Sequence, residues 1–60
     1  MHATEIQEYA RQLWEAHGDK AIAEAAQKAV AFDKKGDNEQ AQTWRRIEAA
    51  LMVMRKARQT

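Results

Sequence analysis

Apolar residues in this chain recur at intervals of three and four, in three runs separated by the pairs Gly18-Asp19 and Gly36-Asp37. That spacing places them on one face of an α-helix, whose turn is 3.6 residues. In the first run Ile6, Tyr9, Ala10, Leu13, Trp14 and His17 share a broad face. Thr4-Glu5-Ile6-Gln7 matches a capping box, with a hydroxyl at the N-cap and a glutamine three residues on. Gly18 closes the run, because glycine adopts the left-handed conformation that ends helices. The second run, over residues 20–35, is built largely of alanine, with Ile22, Val30 and Phe32 as larger anchors. Asp19 is expected to cap it; Lys34 and Lys35 suit its last turn, and Gly36 stops it. The third run follows a second capping box, Asp37-Asn38-Glu39-Gln40. There Ala41, Trp44, Ile47, Leu51 and Met54 form the buried stripe, which Ala50, Val53 and Ala57 widen. Met52 falls off it.

The pattern predicts an all-α fold: a three-helix bundle with helices over residues 4–17, 20–35 and 38–57, forming one domain over residues 1–60. Short turns predict that the first two helices pack antiparallel and that the third returns across them. Alanine lets neighbouring helices approach closely. The second helix is therefore expected to lie between the other two, with alanine on more than one contacted side.

The Gly-Asp pairs are 18 residues apart, with Leu13-Trp14 and Ala31-Phe32 at equivalent places before each turn. Gly36-Asp37 followed by Ala41 and Trp44 resembles the helical pairs of tetratricopeptide repeats, in which a small residue after the turn packs against aromatics. The resemblance covers about half of the chain. The aromatic falls three residues after Ala41, where the repeat places it four after, and no proline closes the unit. The chain is also similar to small bacterial helical proteins, a likeness that implies no activity.

Size changes the picture. A chain of 60 residues buries only about 60% of the surface its unfolded form exposes. Its core supplies roughly 3–5 kcal/mol, unless a disulfide, a metal or association adds to it. There is no cysteine, so disulfides are excluded. His2 and His17 are far apart and have no cysteine to help them, which makes a zinc site of three or four ligands unworkable. Association remains, and the bundle is expected to pair into a dimeric helical bundle. The run Ala49-Ala50-Leu51-Met52-Val53-Met54 is apolar on every side for more than a turn, which three helices cannot easily cover. Trp44, Leu51, Met52, Val53 and Met54 are therefore the expected interface residues, with the tryptophan as an anchor.

Charge adds a second candidate. The net charge is +1, but residues 41–60 hold Arg45, Arg46, Arg55, Lys56 and Arg58 against Glu48 alone. These five residues are the candidate contacts to a nucleic-acid backbone. They lack exposed aromatic residues between them, so single-strand stacking is not expected.

Catalytic chemistry finds little to work with. The chain has no serine or cysteine nucleophile, and Thr4, Thr43 and Thr60 fall at a cap, a helix surface and the terminus. Both glycines are helix stops, so no phosphate-binding loop exists. No enzyme activity and no cofactor are expected. His17, beside Gly18, is expected to interact with the carbonyl end of its helix. No apolar run approaches a membrane span, and no secretory leader is visible. A cytoplasmic protein–protein interaction module is the expected class, acting as a homodimer and serving as an adaptor or regulatory subunit. A dimeric nucleic-acid-associated regulator is the alternative.

Overall fold

The computed structural model describes residues 3–58, with side chains from residue 5 to residue 57. Three helices follow one another: α1 (Ala3–His17), α2 (Lys20–Lys34) and α3 (Asn38–Arg58). They pack as an all-α three-helix bundle, each helix within a residue of its expected bounds. Thr4 lies inside α1 and not before it; its side chain, and so the proposed first cap, lies outside the described residues.

The two glycines end their helices in different ways. Gly18 sits at φ +62° and donates its N–H to the Trp14 carbonyl at 2.8 Å, a single-bond left-handed cap. Gly36, at φ +80°, donates to the Asp33 carbonyl at 3.0 Å, while Asp37 N–H reaches back to the Phe32 carbonyl at 2.9 Å. Those two bonds make a Schellman motif. Asp37 then opens the next helix. Its carbonyl accepts from Ala41 N–H, and its Oδ1 accepts from Gln40 N–H at 3.2 Å. One residue thus finishes α2 and starts α3. Only half of the expected capping box is made, because the Asp37 N–H is already committed to Phe32.

Asp19 does not cap α2. Its backbone is helical and its side chain makes no cap hydrogen bond. The free N–H groups of that first turn are met by backbone carbonyls instead, Ala21 to Gly18 and Ile22 to Asp19. Asp37→Ala is therefore expected to cost about 1 kcal/mol, a fall in melting temperature of roughly 4–8 °C. Gln40→Ala, which touches only the unmade half of the box, should leave it unchanged or slightly higher. Thermal melts by circular dichroism read both, and equal losses would contradict this capping geometry.

The helix shared by the other two is α3, not α2. Its 21 residues extend about 31 Å at 1.5 Å each, most of the molecule's 38 Å length. It packs along both α1 and α2, whereas α1 and α2 hardly touch. Asp33 pairs with Arg45, and Asp19 Oδ1 lies 3.8 Å from Arg55 Nε. The start of α2 therefore lies near the end of α3, which makes these two the main antiparallel pair. The physical reason is the alanine stripe: Ala21, Ala25 and Ala29 are buried at four-residue spacing, while Ala23 and Ala31 face out. A single small-residue face brings α2 close to one neighbour and cannot serve two.

Ile6 and Ala10 of α1, Ala21 and Ala25 of α2, and Ile47 and Leu51 of α3 form one buried cluster. Leu13, Trp14, Ile22, Trp44, Ala50 and Met54 pack around it, partly buried. Among the described residues, Ile47 and Leu51 are the largest side chains that are fully buried. No described polar or charged side chain is buried.

Candidate functional site

Successive helical residues turn by 100°. With Ile47 and Leu51 pointing at α1 and α2, the opposite arc of α3 carries Ala49, Met52, Val53 and Lys56, all exposed. Met52 keeps 53% of its surface accessible and Val53 67%. Val53 belongs to two shallow grooves at once. On one side it lines a groove with Ala50 and Met54, across from Gln7, Glu8 and Arg11 of α1. On the other it lines a groove with Met52, Arg55 and Lys56. The result is a continuous apolar surface with an α1 wall on one flank and a basic flank on the other.

The expected interface residues do not share one surface. Leu51 is fully buried by its own chain and offers no surface to another molecule. Met54 is half-buried against the core. Trp44 lies two turns from Met52, on another face, where its ring meets Tyr9 edge-on at 5.7 Å and carries Lys28 Nζ 5.4 Å above it. It floors a separate cleft between α1 and α2, lined also by Leu13, His17 and Glu24. Val53, read from sequence both as widening the buried stripe and as an interface residue, is more open than Met52. The reason is the width of the buried arc. Two neighbours on adjacent sides of α3 cover Ile47 and Leu51 but stop short of Val53.

The basic residues are not gathered into one edge. Arg45 is held by Asp33, and Arg55 lies beside Asp19. Arg46 and Lys56 are exposed and make no ion pair among the described residues. Each adjacent pair, Arg45 with Arg46 and Arg55 with Lys56, diverges by a helical step of 100°. The side chain of Arg58 lies outside the described residues.

Other polar groups are absorbed locally. His17 Nδ1 is 3.5 Å from Glu24 Oε1, joining the end of α1 to α2. Thr43 Oγ1 donates to the Glu39 carbonyl one turn back at 3.1 Å. The described residues contain no group of three or more His, Asp or Glu side chains able to hold a metal ion. None of the described helices is long and apolar enough to cross a membrane.

Glu8 and Arg11 were missed by sequence reasoning. Their place opposite Val53 depends on how α1 leans on α3, and no local pattern encodes that. No protein-family model, curated protein or solved structure matches this chain.

Proposed function

We propose that this protein is a small interaction module that works as a homo-oligomer, docking through the outer face of α3. In this reading it is a cytoplasmic adaptor or regulatory subunit with no chemistry of its own. The observation that carries it is the adjacent exposure of Met52 and Val53. Apolar side chains clustered on an open arc mark contact surfaces, whereas isolated ones need no explanation. Charged groups rim them, as they do the edge of an interface.

Sedimentation velocity over a dilution series tests the proposal. The wild type is expected to shift from dimer to monomer in the micromolar range. Val53→Asp should be monomeric throughout with unchanged helical content, because the residue contributes little to its own core. A wild-type protein that stays monomeric at the highest concentrations reached removes the proposal. Met54→Asp is a poorer probe, since it would also damage the protomer.

The nucleic-acid reading draws less support, because Asp33 of α2 and Asp19 of the turn before it lie against two of its five cations. Titration with duplex DNA and RNA at low and moderate salt separates the two readings: phosphate binding weakens steeply as salt rises.

A further inference from the structure

The two flanks of the Val53 surface differ in charge: the α1 wall carries one acid and one base, Glu8 and Arg11, and the other flank carries two bases. On the α1 side the groove wall presents Glu8, between Gln7 and Arg11, with Glu5 exposed one turn earlier. On the other side stand Lys56 and Arg55. Asp19 already faces Arg55, while Glu8 and Lys56 make no ion pair among the described residues. An apolar centre with an acid on one edge and a base on the other fits a copy of itself turned by half a revolution. That is the requirement of a two-fold interface, in which the same patch serves both partners.

We infer that a second copy of this chain covers this face about a two-fold axis near Val53, with Glu8 of each copy meeting Lys56 of the other. The inference rests on the self-association proposed above and specifies its geometry. One further observation fits it. Ala49, Val53 and Ala57 are exposed at four-residue spacing, so two α3 helices can approach closely while crossing at Val53.

Charge reversal tests the register. Glu8→Lys and Lys56→Glu each turn two attractions across the axis into two repulsions, and each is expected to weaken dimerisation roughly tenfold. The double variant Glu8→Lys/Lys56→Glu restores both attractions and should associate as the wild type does. An equimolar mixture of the two single variants should also recover, because the heterodimer again pairs lysine with glutamate at both sites. Added salt should shrink all these differences. Sedimentation velocity reads the association, and circular dichroism confirms that each variant is folded. If Val53→Asp dissociates the protein while neither charge variant changes its association, or the mixture fails to recover, the two-fold register is overturned and self-association stands. A monomeric wild type overturns both.

Discussion

Leu51→Ala is expected to leave a substantial fraction of molecules unfolded at room temperature. Leu51 is fully buried where α1 and α2 meet α3, and it is one of the few large side chains in a core made mostly of alanine. Truncating a buried leucine removes its transfer energy and leaves a cavity, at a cost of about 2–5 kcal/mol. A lone core of this size supplies roughly 3–5 kcal/mol in all, so the loss consumes most of the margin. Urea unfolding followed by circular dichroism measures it, at one fixed protein concentration because association feeds into apparent stability. Met52→Ala is the matched control on the exposed side of the same helix and, at a protein concentration low enough that both variants are monomeric, should shift the midpoint little. Similar losses at both positions would mean that α3 is rotated from the orientation described here.

Ala25→Leu is expected to lower the melting temperature by roughly 10 °C, from about 2 kcal/mol of overpacking. Ala25 is completely enclosed in the α2–α3 contact. The helices approach there because the side chain is a methyl group, so three added carbons must push α2 away or strain its neighbours. Ala23→Leu makes the same chemical change on the exposed face of α2 and should be close to neutral. The contrast is sharp because both hosts are alanines in one helix, two residues apart, with the same intrinsic propensity. If Ala23→Leu proved the more damaging, the stripe Ala21-Ala25-Ala29 would not be the face that meets α3.

The helices and their ends were readable from sequence because they are set by local chemistry. Gly18 and Gly36 take left-handed conformations that other residues disfavour, and three-and-four spacing identifies what lies between them. Asp19 and Asp37 show where local reading fails. Both follow a glycine, yet only Asp37 caps. The Schellman turn leaves its side chain facing the new helix, whereas the tighter turn at Gly18 keeps Asp19 helical and lets backbone carbonyls do the work. Packing order was less legible. Alanine content announces a close approach without saying to which neighbour, so α2 was expected in the place that α3 occupies. The surface was half visible. Met52 and Val53 are both expected at an interface, but Val53 is also read as widening the buried stripe, because a helical pattern cannot state how much of the circumference its neighbours will cover. Glu8 belonged to another helix altogether.

The scant contact between α1 and α2 has a consequence for the order in which the chain assembles. Helices α2 and α3 are joined by only a few residues, so little chain entropy opposes their meeting. They can associate as soon as both exist. The segment that becomes α1 is synthesised before either, yet it has almost nothing to rest against until α3 has been made. Translation therefore runs opposite to folding: the earliest-made segment is the last to find its seat, and its apolar stripe stays uncovered in the interval.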